Sequence, residues 1–357
     1  MNVRLLLLLA IAGCAGAGTP PSGSPSPSAS AASASAVASA SVSVTPISVA
    51  SSSPAAVVDA GPPADVLCEG RSCRIEKANA GTLADLARSH PDLGDVWILG
   101  GRPGTLAPLA PLTKLHRFRI ALCEGLTDKD FAFAKGWTEL TELEVSNCDN
   151  FTSVAPLGSL PRLTDVSLIN TSLRSIEWLQ GAPLVKLRVQ SGVTDLAAIA
   201  TMTQLTDLSL VDLDGVHAAP FLGKLTHLET LYVEATDFTS LPDLSPLVSL
   251  KNLTLSHVPK LTELKGLAAL PALTNVSIDW CGITDLAKVG TLDHVAFLHL
   301  EGTKVKDLTP LAAWKSLGVV IVADDTSPAL LAALKKAKPS LRAITAHQAA
   351  LAAQGPH

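Results

Sequence analysis

The chain has 357 residues, with 27 Lys and Arg against 32 Asp and Glu; its formal charge of -5 and dispersed basic residues give no electrostatic basis for a nucleic-acid partner. Aromatic residues are only 4% of the chain while Leu and Ala abound, so a core of many similar aliphatic layers is expected in place of one built around a few large side chains. Length alone allows two or three domains, but the N-terminal composition cannot support a core, and one folded unit is expected.

Met1 to Gly13 carries one positive charge, Arg4, then an apolar stretch from Leu5 to Ala12 and a small residue before Cys14. This is the layout of a secretory signal, too short to cross a bilayer. Ile11-Ala12-Gly13-Cys14 resembles the lipobox of bacterial lipoproteins. That resemblance implies that residues 1–13 are a lipoprotein signal peptide and that Cys14 becomes the lipidated first residue, the chain's one membrane contact. Cleavage after Ala15 or Ala17, leaving a soluble secreted protein, is the alternative. Ala15 and Gly16, with no Asp after the cysteine, further imply an exported protein held at the outer membrane of a Gram-negative envelope.

Residues 14–63 are Ser, Ala, Pro, Gly and Thr with some Val, and no charge falls between Arg4 and Asp59. Such a tract offers no amphipathic face and reads as a disordered linker, with an r.m.s. span of roughly 35–40 Å. Residues 64–92 read as an N-terminal cap. Cys68 and Cys73, in a Cys-x4-Cys pair of an exported chain, are expected to form a disulfide; a zinc half-site is the alternative, but no second pair lies at ligand spacing. Thr82 is expected to cap a short helix of about Leu83 to Ser89, stopped by Pro91.

Over residues 93–325 one pattern, L-x-x-L-x-L, recurs from Leu93, Leu115, Leu140, Leu163, Leu184, Leu205, Leu228, Leu250, Leu273, Val295 and Leu317, at spacings of 21 to 25. The fourth and sixth residues of each unit alternate as a strand does, sending one set inward and the intervening set outward. Segments such as LTELEV (140–145), LTDVSL (163–168) and LKNLTL (250–255) resemble the leucine-rich-repeat family, especially its short internalin-like forms. The resemblance implies an α/β solenoid: a curved stack with a parallel sheet on the concave face, irregular or 3₁₀ segments behind it, and short helical caps. It also implies a binding role in general terms, because fold is not function.

Cys123, Cys148 and Cys281 fall eight residues after a repeat-starting Leu, in the column that also holds Thr171, Thr236 and Thr303. They read as packing residues, with oxidation of Cys123 and Cys148, one repeat apart, as a second reading. Residues 326–357 read as a C-terminal cap: a helix from Pro328 to about Lys338, a strand fragment at Leu341 to Ile344, then a frayed tail. The sequons at Asn150, Asn170, Asn252 and Asn275 read as coincidental repeat residues in a bacterial lipoprotein.

No phosphate-binding G-x-x-x-x-G-K, H-E-x-x-H or G-x-S-x-G motif occurs, so no catalytic residue, metal ligand set or cofactor is assigned. Function is sought instead on the outward columns. There the seventh to tenth repeats bring Tyr232, Glu234, His257, Asp279, Trp280, His299 and Glu301 onto neighbouring strands, combining aromatic anchors with acids and histidines. The bland reading is that Trp280 covers the sheet edge and the acids are solvated; a metal site from His257, Asp279, His299 and Glu301 is a further option. Arg119, Glu144 and Arg188 make a second candidate nearer the N-terminus. The expected activity is capture of a protein ligand at the bacterial cell envelope; recognition of a glycan is the alternative, and an enzyme finds no support in the motifs.

Overall fold

The computed structural model describes residues 65–149, 157 and 160–354. Cys14, the signal and linker tracts to residue 63, and Asn150 lie outside the described residues. Among these residues a single sheet of 14 strands runs in strict chain order. Strands β1 (Asp65–Glu69) and β2 (Ser72–Glu76) form an antiparallel hairpin, and every later pairing is parallel. The repeat strands are β3 (Asp95–Leu99), β4 (Arg117–Cys123), β5 (Glu142–Cys148), β6 (Asp165–Thr171), β7 (Lys186–Gln190) and β8 (Asp207–Val211). They continue as β9 (Thr230–Glu234), β10 (Asn252–Ser256), β11 (Asn275–Asp279), β12 (Phe297–His299) and β13 (Val319–Val322). On the far side the strands are answered by 3₁₀ turns such as Ala197–Thr201 and Thr309–Ala313.

The alternation in the sequence sets the register. Leu143 and Val145 align with Val166 and Leu168, and these with Leu187 and Val189, all of them buried. Together with the repeat-starting leucines they form one continuous core from Cys73 to Leu341. No single unit could bury its apolar side alone, so stability arises from stacking. The backbone stacks as well: the Thr141 carbonyl accepts from the amides of both Thr164 and Asp165, and the Thr164 carbonyl from those of Val185 and Lys186. The longest unit, between Leu115 and Leu140, spends its extra length on a 3₁₀ segment, Asp128–Gly136, that buries Phe131 and Trp137 against Phe118.

One column departs from plain strand geometry. Two residues beyond the last inward position, Lys77, Leu122, Asn147, Asn170, Ser191, Asp212, Ala235, His257 and Trp280 all have φ between +49° and +61°, and Gly100 and Gly302 complete the row. Asn, Asp and Gly accept this left-handed conformation readily, whereas for Leu122, Ala235 and Trp280 it costs roughly 1–2 kcal/mol each. The conformation turns each amide toward the next strand, as in Asp212 N to Glu234 O (2.9 Å) and Ala235 N to Ser256 O (3.0 Å). The ladder is thereby extended one residue past the strands.

At the N-terminal end the Cys68–Cys73 disulfide crosses the β1–β2 hairpin with Cα atoms 4.1 Å apart. Helix α1 (Ala80–Ser89) begins earlier than expected. Its cap is Asn79, whose side chain accepts from the amide of Thr82 at 2.9 Å; Thr82 therefore lies inside the first turn. Cys123 and Cys148 are bonded to each other across β4 and β5, Cα atoms 4.6 Å apart, so the packing reading of that pair is replaced by the covalent one. Cys281 stays free and buried, its thiol pushed up to about 12 by desolvation.

The C-terminal end differs most from the sequence reading. Ser327 caps helix α2 (Pro328–Ala337), and β14 (Arg342–Thr345) adds to the sheet, but the residues after it do not fray. They form helix α3 (Ala346–Gln354), started by reciprocal bonds between Thr345 and Gln348. This helix packs Ala349 on Ile321, with Phe297 and Ile344 beside them, in a small apolar cluster separate from the main core. Ile321 and Phe297 belong to outward columns, so α3 lies on the concave face and covers its C-terminal end.

Candidate binding surface

The parallel register places the outward residues in rows. Tyr232, Thr254, Ser277 and His299 share one row, and Glu234, Ser256 and Asp279 the next, as the repeat spacing implied. Their exposure differs sharply. Asp279 is 7% and His299 4% exposed, so neither presents a free group to a partner. Ser256 donates to one oxygen of Asp279 at 2.6 Å and Ser277 donates to the other. Nδ1 of His299 lies 3.2 Å from the Ser277 oxygen, while its Nε2 faces Glu301 at 3.3 Å without an aligned hydrogen bond. The Ser277 proton is committed to Asp279, so the imidazole nitrogen facing that oxygen acts as a donor. A serine nucleophile needs the opposite arrangement. Among the described residues no group of three or more His, Cys, Asp or Glu side chains is disposed to hold a metal ion.

His257 and Trp280 stay exposed in the left-handed row. Their rings stack with centroids 5.6 Å apart and planes 7° from parallel. The indole also lies against Gly302, where it leaves no room for a Cβ. Trp280 nevertheless stays 45% exposed. Tyr232 is half-buried and donates its hydroxyl to Glu234; desolvation first, then that carboxylate, hold the phenol well above its usual range.

The open part of the concave face lies nearer the N-terminus. A hollow of about 340 Å³ spreads over β4 to β9, and Tyr232 forms its C-terminal wall. Its lining includes four basic residues, Arg117, Arg119, Lys186 and Arg188, and four acidic ones, Glu142, Glu144, Asp165 and Asp207. Several are already matched. Arg117 holds Glu142 through two nitrogens and keeps its carboxyl below the usual range, and Arg119 reaches Asp95 at 3.1 Å while stacking over Trp97, which Arg74 covers on the other side. Arg188 is different: it is exposed, and among the described residues it bonds the neutral Gln190, at 3.0 Å, and no carboxylate. Glu144 likewise forms no ion pair among the described residues. The second candidate group from the sequence, Arg119, Glu144 and Arg188, thus sits in the accessible hollow. The other is split between an accessible edge (Tyr232, Glu234, His257, Trp280, Glu301) and a buried network (Asp279, His299).

Units of 21 to 25 residues, each giving one strand to a parallel sheet with 3₁₀ turns at its back, define a leucine-rich-repeat solenoid. A solved structure places the fold in the same class. The chain is similar to an internalin (inlF) from Listeria monocytogenes, with a TM-score of 0.55 and 16% identity over 77% of this chain and 86% of that one. A leucine-rich-repeat protein from Leptospira interrogans aligns at 15% identity over 76% of this chain and 89% of that one, with a TM-score of 0.38. A plant peptide hormone receptor, RGFR1 in complex with RGF2, aligns at 17% identity over 79% and 51%, with a TM-score of 0.45. No protein-family model and no curated protein matches the chain.

Proposed function

We propose that this chain is a protein-binding solenoid, exported and tethered to the cell envelope through a lipid on Cys14, that captures a polypeptide on its concave face. The observation that carries the reading is the open hollow over β4 to β9, whose lining balances four basic against four acidic residues. Balanced charge suits a polypeptide of mixed charge better than a polyanion, whether nucleic acid or acidic polysaccharide. A sugar platform would centre on Trp280, which lies outside that hollow and already stacks on His257. Tyr232 lines the hollow and Glu234 accepts its hydroxyl, and His257, Trp280 and Glu301 extend the surface beyond them toward α3. The lipobox-like Ile11-Ala12-Gly13-Cys14 supports the tether and the outer-membrane address.

The test is capture from envelope extract by the full chain beside an Arg188→Glu, Tyr232→Ala variant with an unchanged far-UV spectrum. Retention of one protein by the first and its loss by the second supports the reading. Equal capture moves the site off this face, and binding to a glycan array without protein capture replaces it. For the tether, incorporation of a labelled fatty acid is expected in the native chain and not in Cys14→Ala. An unblocked mature N-terminus at Gly16 or Gly18, beyond Cys14, would refute it.

A further inference from the structure

One row of the open face alternates long and short side chains in a way that its neighbours do not. Across β5 to β9 the register runs Glu144, Ser167, Arg188, Ser209, Tyr232. An acid, a base and an aromatic stand as three posts, and the serines between them leave two gaps. Adjacent strands are ~4.8 Å apart, so successive posts are separated by roughly 9.6 Å. Glu144 and Arg188 form no ion pair with each other, and Arg188 is left on the neutral Gln190. Glu144 and Arg188 thus stand at a known spacing with no ion pair among the described residues, and Tyr232 presents an aromatic ring in the same row.

Resting on the protein-binding reading above, we propose that the hollow recognises an extended segment carrying a basic, an acidic and an apolar residue at three-residue intervals, seated on Glu144, Arg188 and Tyr232 respectively. The interval follows from chain geometry. A polyproline-type extended segment has three residues per turn and rises about 3.1 Å per residue, so every third side chain faces the same way about 9.3 Å further on. A flat β-strand fits poorly, because residues three apart point to opposite faces. The segment runs across the strands, and its backbone passes over Ser167 and Ser209, where the floor is lowest.

The experiment is selection of a random peptide library, displayed on phage, against the full native chain and against two charge reversals, Arg188→Glu and Glu144→Arg, whose melting curves match the native one. Native selections are expected to enrich a base and an acid three positions apart, with an apolar residue three further on from the acid. Arg188→Glu should weaken the enriched peptides about tenfold and regain them when their acid is changed to Lys; Glu144→Arg should do the same at the basic position. Enrichment without that spacing, insensitivity to both reversals, or no enrichment at all overturns the assignment. Capture of an envelope protein that survives both reversals but is lost in Trp280→Ala also overturns it, while leaving the broader protein-binding reading in place.

Discussion

Replacing Gly302 by Ala tests the packing of the exposed aromatic edge. Gly302 has φ +64°, and the Trp280 indole occupies the space that a Cβ needs. A left-handed Ala costs roughly 1–2 kcal/mol, and the smaller unfolded-state entropy of Ala returns about 0.4–1, so the backbone alone accounts for about 0.5–1.5 kcal/mol. Moving the indole also breaks its stack on His257, worth about 0.5–1.5 kcal/mol more. Gly302→Ala should therefore destabilise the native chain by about 1–3 kcal/mol, but by only about 0.5–1.5 kcal/mol when Trp280 is already Ala. Urea titration of both single variants and the double variant, followed by far-UV circular dichroism, gives the coupling. If Gly302→Ala costs the same with and without the indole, Trp280 does not rest on Gly302.

Loop length ranks the two disulfides. Closing 25 residues should make Cys123–Cys148 worth about 3.5 kcal/mol, against about 2 for the five-residue separation of Cys68–Cys73. Paired serine variants should lower the urea midpoint in that order, and the reverse order would count against the entropic argument. Ala349→Asp sets a carboxylate against Ile321 and should abolish amide-exchange protection across residues 346–354 while leaving β4 to β9 unchanged; retained protection would mean that some other contact holds α3. Acid should destabilise the fold through groups whose folded values are lowered. Glu142, held down by Arg117, and Asp92, Asp237 and Asp293, each held down by a lysine, contribute stability that is complete above their ordinary values and is lost as pH falls through the lowered ones. The urea midpoint should hold as pH drops toward the usual glutamate value of 4.5 and decline below it. Arg117→Gln should flatten part of that decline, and an unchanged profile would remove Glu142 from the account.

The repeat register is readable because it is enforced many times over. A slip of one residue at Leu163 would turn Val166 and Leu168 to solvent, and the same holds at each unit, so the positions of the rows holding Tyr232, Glu234 and Asp279 follow from spacing. The left-handed row is only half legible. Asn147, Asn170, Asp212 and Gly302 are residues that favour such a turn, but Leu122, Ala235 and Trp280 are not, and they adopt it because the strands on either side impose it. The helix start at Asn79 escapes a sequence reading because Thr82 is also a capping type and only the backbone conformation decides between them.

Exposure is the quantity that sequence could not supply. An outward position is a statement about one strand, whereas burial depends on what lies across it. Their columns assign Asp279 and His299 to the surface, yet two serines and neighbouring strands enclose the first, and the second lies beside the end that α3 covers. The alanine-rich stretch after Thr345 has too weak a periodicity to announce a helix, and it finds its place only because Ile321 and Phe297 offer an apolar patch on the outer side of the sheet. Local alternation and repeat spacing therefore determined the solenoid, its register and the identity of each outward row. Which part of that face is open was decided by tertiary contacts between segments far apart in the chain, since accessibility is a property of the assembled surface and no local pattern encodes it.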